Sequence, residues 1–323
     1  SNVPDSGDST AVSPVSPQGR IGGVVTDQDG NAVEGVIVSL GDITATTKND
    51  GSYMLVEVAP GMDLVIKFSK RGYASNYKVT SLLNWETVAS NATLLEIDGS
   101  QTISSFDDSY LDIEDTTVEF KANSFVDKAS GLRYNGDVIV EVTHVDPSTA
   151  ELSGAPRDLS AISNSNDSQL VSYGMVDVSL FGEDGQELSL DLDKPANLRI
   201  PITNGNLPNG LKLEPGDTQK TWSYDPVLGA WIEEAEGTIS GDEDELYFSF
   251  EAPHFSWWNC DMGFVPSCAE GRVIDVLGFP VRGADVTCAG GQTTSTAVTD
   301  ENGEYSCSIM VGDYVSFTGR TFV

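Results

Sequence analysis

The chain has 323 residues, 39% of them apolar, with 32 Gly and 14 Pro, which is enough to build two or three compact units, each with its own core. Fifty acidic against 17 basic residues give a net charge of -33, which repels nucleic acid and anionic lipid and removes both from the expected partners. No window approaches the roughly 18 consecutive apolar residues that a membrane-spanning helix needs.

Residues 1–18 are rich in Ser, Pro, Asp and Gly and cannot bury enough apolar area to offset ordering, so they read as a tether. They look like the start of a mature lipoprotein or exported protein whose targeting segment has been removed. From about residue 19 onward, short runs rich in Val, Ile, Thr, Phe and Tyr alternate with Gly, Asp and Asn turn signals, and sustained helical periodicity is hard to find. GVIVSL, YKVTSL and NATLLEI supply strands to a first unit over 19–98. GDVIVEVTHV, YGMVDVSLFG and LYFSFEA do the same for a middle region over 104–260. Residues 156–170, PRDLSAISNSNDSQL, read as loop. The expected class is all-β, with three β-sandwich-like units in tandem and a last one over 270–323.

Carboxylate-rich loops attract calcium, but TDQDGNAVEG, KNDGSY and TDENGEY lack the ligand spacing and terminal Glu of a twelve-residue calcium loop. They are read as tight turns. The expected cofactor is none, with calcium kept as the alternative.

An internal repeat organises the chain. GVVTDQDGNAVEGVIVSL, starting at Gly23, lies without a gap over GRVIDVLGFPVRGADVTC, starting at Gly271; this matches Asp27 with Asp275, Gly30 with Gly278, Gly35 with Gly283 and Val38 with Val286. NDGSYML and ENGEYSC also coincide. Each copy resembles the carboxypeptidase regulatory-like domain, a small transthyretin-like β-sandwich, although the first copy has TKNDG where the family has a Thr-Asp pair. The resemblance implies a spacer or stability module. No zinc ligand cluster or peptidase motif accompanies it.

The alignment puts Cys288 and Cys307 where the first copy has Leu40 and Leu55, positions read as facing strands, so a Cys288–Cys307 bond is one candidate. Cys260 and Cys268 then remain as a short-loop pair. Four cysteines allow three connectivities, and the sequence leaves the other two open. An even count in an acidic, turn-rich chain points to an oxidising compartment; the competing reading is four reduced thiols in a cytosolic protein. CDMGFVPSC, with no histidine beside it, is not a zinc site.

The middle region carries YNGDVIVEVTHVDPS, WSYDPVLGAW and finally HFSWWNCD. This succession resembles the β-rich extracellular region of cartilage intermediate layer protein and its bacterial relatives. It is also similar to the autoproteolytic β-domains of netrin receptors and death-domain adaptor proteins, which end in a strand bearing His-Phe-Ser. The resemblance implies a single cleavage between Phe255 and Ser256, with Ser256 as nucleophile and His254 as base and then acid. A regular strand holds residues i and i+2 about 6.6 Å apart, so the pair needs a local kink, which Pro253 permits. The competing reading is a closing strand in which Phe255 and one of Trp257 and Trp258 fill the core and Ser256 is inert. The two tryptophans also raise a sugar-stacking role, but neighbours on a strand face opposite ways. His144 has Asp146 on its own face, yet no nucleophile pattern accompanies the pair.

These readings converge on a secreted or surface-tethered structural or adhesive β-protein that is no turnover enzyme, with other protein subunits or cell-surface components as partners. The alternative is a carbohydrate- or calcium-dependent binding module of a larger secreted assembly. Residues 271–323 stop at the counterpart of PGMDLVIKFSKRGY in the first copy, so the closing strands of a full sandwich are missing from them. The expectation is an open edge, met by further chain or by a strand from a neighbouring subunit.

Overall fold

The computed structural model describes residues 18–156, 160–163, 166–203, 205, 212–242, 245–264, 267–290, 294–309 and 315–321. Almost all of the expected tether thus lies outside the described residues. The structure is nearly all β, as the alternating apolar runs require.

The first repeat comprises β1 (Gly19–Asp27), β2 (Ile37–Leu40), β3 (Ile43–Thr46), β4 (Ser52–Val58), β5 (Gly61–Ser69), β6 (Asn76–Leu82), β7 (Thr87–Ala89) and β8 (Ala92–Leu94). One sheet has the order β4-β1-β7, with β8 also pairing β1, and the other has the order β3-β2-β5-β6. Period-2 alternation turns Ile21, Val25, Val38, Leu55, Phe68 and Leu94 into a shared core in which each is fully buried. β1 runs close beside its neighbour: a Cβ on Gly23 would collide with the Ser90 carbonyl, so only glycine fits there.

The middle region contains β9 (Gly99–Ser104), β10 (Ser109–Ile113), β11 (Thr116–Phe120), β12 (Phe125–Asp127), β13 (Asp137–Val145), a 3-10 turn at Ala150–Gly154, β14 (Ser160–Ser163), β15 (Asn166–Gly182) and β16 (Leu188–Leu190). It continues with β17 (Ala196–Ile202), β18 (Thr218–Asp225), β19 (Ala230–Gly241), β20 (Leu246–Ala252) and β21 (Trp257–Phe264). One sheet dominates, in the order β10-β11-β17-β20-β19-β18-β21-β15-β13-β9, with β14 pairing both β15 and β19. The strands of this sheet run from Gly99 to Phe264. The stretch 156–170 is corrected: Ser160–Ser163 and Asn166 onward are paired strands. Serine and asparagine carry little strand propensity, and it is pairing with β15 and β19 that makes the strand.

The second repeat comprises β22 (Ser267–Arg272), β23 (Asp285–Ala289), β24 (Thr294–Val298), β25 (Glu304–Ile309) and β26 (Ser316–Arg320). Its sheets, β22-β25 and β24-β23-β26, copy β1-β4 and β3-β2-β5. Side-chain hydrogen bonds repeat as well. Thr47 Oγ1 donates to Val33 O at 2.7 Å and accepts from Val36 N at 2.8 Å; Thr299 Oγ1 donates to Val281 O at 2.6 Å and accepts from Ala284 N at 2.9 Å. Among the described residues nothing takes the places of β6, β7 and β8, and the fully packed core shrinks to Val286, Cys288 and Cys307.

Cys288 and Cys307 are joined by a disulfide between β23 and β25. The short-loop pair expected of Cys260 and Cys268 is corrected, since both thiols are free. Cys260 points into the core of the middle region from β21, whereas Cys268 stands exposed on β22 opposite Ser308, so the chain between them carries the two side chains into different units.

Tryptophan anchors the first repeat to the middle region. Trp257 Nε1 donates to Ser75 O at 2.6 Å, and the Tyr77 and Tyr224 rings lie 5.0 Å apart in the same cluster. The two repeats touch through an Arg282–Glu86 ion pair at 2.8 Å.

Candidate functional site

β20 and β21 are consecutive in the chain but separated in the sheet by β19 and β18, so residues 253–256 must bridge from one to the other. His254, Phe255 and Ser256 therefore sit in a bend before β21 rather than in a strand, which corrects the expected His-Phe-Ser strand. Pro253 cannot donate to a ladder, and the crossing itself breaks the pairing. Strand alternation does not apply here, and the three side chains take independent directions.

His254 Nε2 lies 2.9 Å from Glu234 Oε1 on β19, and Ser223 Oγ on β18 donates to the same carboxylate oxygen. Glu234 is only an acceptor, so the contact places the imidazole proton on Nε2 and leaves the Nδ1 lone pair as the basic position. Burial alone would push Glu234 upward; the hydrogen bonds from His254 and Ser223 outweigh it and hold the carboxyl below its usual range. The ring stacks on Trp258 at 5.1 Å, and Trp258 Nε1 donates to His254 O at 3.0 Å, so both ends of the histidine are fixed.

Phe255 turns the other way and packs edge-on against Phe120 at 5.7 Å, anchoring the bend in the core of the middle region. Ser256 Oγ donates to Trp257 O at 3.1 Å. The structure thus brings His254, Glu234 and Ser223 together and directs the Ser256 hydroxyl to a backbone carbonyl instead of to the histidine.

Glu234 was not singled out from the sequence. It lies 20 residues before His254 on another strand, and the only local hint is the pair of acids in WIEEAE at the end of an apolar run. The tryptophans are both fully buried, Trp257 on the face toward the first repeat and Trp258 on the inner face, so they form no exposed stacking surface. His144 is tied elsewhere: its Nε2 lies 3.2 Å from Pro201 O, and burial pushes its pKa down. Asp146 bonds Ser148 rather than His144. Among the described residues no group of three or more His, Cys, Asp or Glu is placed to hold a metal ion, and no helix is long and apolar enough to cross a membrane.

Residues 142–263, fewer than half of the chain, match the family model described as FAM171A1/A2/B, N-terminal; the matched segment contains Glu234 and the whole His-Phe-Ser bend. Among solved structures, the chain is similar to a type II cohesin-X-dockerin complex from Acetivibrio cellulolyticus (16% identity, 24% of this chain and 58% of that one, TM-score 0.22). It is also similar to the Bacillus anthracis TIE protein (12% identity, 94% and 48%, TM-score 0.23). A third similarity is to the major pilin subunit of Bacillus cereus (9% identity, 95% and 96%, TM-score 0.22). The chain spans about half of the length of the first two. Scores this low carry no argument about function.

Proposed function

We propose that this chain is an extracellular structural or adhesive β-protein, in which two spacer modules of the carboxypeptidase regulatory-like type flank a central domain of the cartilage intermediate layer protein type. The observation that carries this reading is the Cys288–Cys307 disulfide inside a repeat whose fully buried cluster, among the described residues, adds only Val286 to the two cysteines. So small a core gives little stability by burial, and a cross-link makes up the difference. Such a bond persists in oxidising surroundings and is rare in the cytosol. The net charge of -33 fits a protein that stays soluble outside the cell.

Membrane-impermeant biotinylation of intact source cells, followed by alkylation and mass spectrometry, tests the assignment. The expected result is a labelled protein whose Cys288 and Cys307 resist alkylation until reduced. Labelling only after lysis, with both thiols alkylated directly, overturns it.

A second reading, a single self-cleavage at Phe255–Ser256, is favoured by the Glu234–His254 contact. In this chemistry Nδ1 of His254 takes the proton from Ser256 Oγ, and the oxygen attacks the carbonyl carbon of Phe255. The peptide C–N bond breaks as the imidazolium returns a proton to the nitrogen, and water hydrolyses the resulting ester. The Ser256 hydroxyl must first rotate away from Trp257 O, a side-chain torsion with staggered alternatives. The fragments would remain together, since β21 pairs with β15 on one edge and β18 on the other. Denaturing electrophoresis should then show bands of about 27 and 7 kDa from the 34.4 kDa chain. A single full-length band after prolonged incubation overturns the reading.

A further inference from the structure

The two repeats touch without closing on each other. Between them lies a cleft of about 1310 Å³, walled on one side by β6 and residues 88–93 of the first repeat and on the other by β23, β24 and β26 of the second. Arg282 and Glu86, whose ion pair joins the repeats, stand among its walls. The volume exceeds the roughly 300–1,000 Å³ of a site for one drug-sized ligand, so the cleft has room for a chain of several units.

The second repeat offers this cleft a sheet face. Val286 and Cys288 point into its core, so strand alternation turns Asp285 and Thr287 the other way, and both line the cleft. Register extends the face over three strands: Thr296, Thr287 and Thr318 lie side by side, and Asp285 stands opposite Arg320. β23 is paired on both edges, which engages its backbone groups and leaves recognition to side chains. The threonine Cβ atoms stand about 4.5–5.5 Å apart from strand to strand. Their β-branched side chains have few rotamers, so little freedom is lost when the hydroxyls are engaged. In the first repeat β6 pairs the outer edge of β5, and β7 and β8 pair β1. The same places in the second repeat are the outer edge of β26 and the edge of β22, neither of which covers the Thr287 face.

Asp285 accepts a hydrogen bond from the backbone N–H of Asn91 in the first repeat, with Lys78 and Arg320 nearby. Burial pushes its pKa up to about 6, so at neutral pH it is an ionised acceptor. The fold does not require it. At the matching register positions the first repeat has Ile37, 52% exposed, opposite Ser69. The acid and its guanidinium partner belong to the second copy alone, where they face the cleft.

Charge narrows the class of ligand. Lys78 and Arg320 flank Asp285, and Arg282 is matched by Glu86, so the walls favour neither a polyanion nor a polycation. The net charge of -33 repels a polyanion at long range. An uncharged ligand with many hydroxyls fits these walls. Each of its hydroxyls donates and accepts as a threonine hydroxyl does, a carboxylate accepts from two neighbouring hydroxyls, and a guanidinium donates to them. Its C–H faces can pack on Ala297 and Val298.

We propose that this cleft is a binding site for a neutral oligosaccharide, with Asp285 and Arg320 as its charged contacts and the row of threonines as its floor. This gives the adhesive reading above a ligand class, and rests on that reading only for the setting in which the sugar is met.

The test applies the full chain to an array of neutral oligosaccharides, from cellohexaose and chitohexaose to branched mannose and galactose glycans, beside uronic-acid and sulfated ones. Calorimetry then titrates the strongest neutral binder, with a Kd expected below about 1 mM. Asp285→Ile with Arg320→Ser installs the residues that the first repeat carries on the same strands. This variant should fold, form Cys288–Cys307 and bind at least about tenfold more weakly. Thr287→Val with Thr318→Val keeps side-chain shape and strand preference while removing two hydroxyls, and should weaken binding at least about fivefold. Absence of binding to every neutral glycan, binding confined to the acidic ones, or neutral binding that both variants retain in full overturns the proposal. None of these outcomes alters the surface-labelling result, so failure here is distinguishable from failure of the adhesive reading.

Discussion

Glu234 and His254 meet at 2.9 Å although they belong to a strand and to a bend that the sheet order sets apart, and Ser223 from a third segment closes on the same carboxylate. A carboxylate, an imidazole and a nearby hydroxyl are arranged so that the ring has one protonated nitrogen and one basic one. Glu234 is what fixes that tautomer.

From this follows a graded set of effects on self-cleavage. Ser256→Ala should abolish the appearance of the smaller fragment, and His254→Ala should slow it by about 100- to 10,000-fold. Glu234→Gln retains a hydrogen bond but not the charge that stabilises the imidazolium, so cleavage should slow by a smaller factor than in His254→Ala. Cleavage at the wild-type rate in His254→Ala would remove the histidine from the chemistry.

What the sequence made legible were features that are local or repeated. The Asp-x-x-Gly turns, the Gly30 and Gly278 positions and the His-Phe-Ser triplet could all be read because turn chemistry and motif spacing act over a few residues. Glu234 was invisible because its role depends on which strands become neighbours, which no local pattern encodes. The Ser160–Ser163 strand was missed for a related reason: its polar residues are strand only by virtue of the partners on either side. Cys260 and Cys268 stay unpaired although few residues separate them, because β21 and β22 carry the two side chains into separate environments, which spacing along the chain does not encode.

Asp177 on β15 gives a pH dependence with a definite sign. Burial raises its pKa to about 6 from 3.8, against the opposing hydrogen bond from Ser179. The folded state therefore favours the protonated form. Its contribution is complete below the unfolded value and is lost as pH rises through about 6. Asp177→Asn should gain stability relative to the wild type between pH 3.5 and pH 7, by at most about 3 kcal/mol. Comparing variant with wild type cancels Glu187, which is shifted downward and works in the opposite direction. A stability difference that stays constant across that range would show that Asp177 is already ionised in the fold.

Trp257 joins the first repeat to the middle region through one indole N–H. Trp257→Phe keeps most of the apolar ring and leaves the Ser75 carbonyl without its donor, a loss of about 1–3 kcal/mol. Because the contact is between units, limited proteolysis near residues 95–99 should accelerate more than proteolysis within either sheet. Equal acceleration throughout would mean that the substitution destabilises the middle region itself.

The Cys288–Cys307 bond closes a loop with a sequence separation of 19, for which chain entropy gives a stabilisation of about 3 kcal/mol. In the first repeat Leu40 and Leu55 stand at the matching positions within a core of many other buried side chains. Among the described residues the second repeat has few such neighbours, so the covalent link carries a larger share of its stability. Cys288→Ser with Cys307→Ser should therefore unfold residues 267–321 at a temperature well below the transition of the middle region, and a reductant should do the same to the wild type. Cys288→Leu with Cys307→Leu should recover only part of the loss, because two apolar side chains replace the packing but not the constraint on the unfolded chain. Hydrogen exchange localises the effect: amides of β23 and β25 should lose protection in both double variants while those of β15 and β21 keep theirs. Unchanged protection in the serine double variant would show that the second repeat is held by its contact with Glu86 and the first repeat, not by the disulfide.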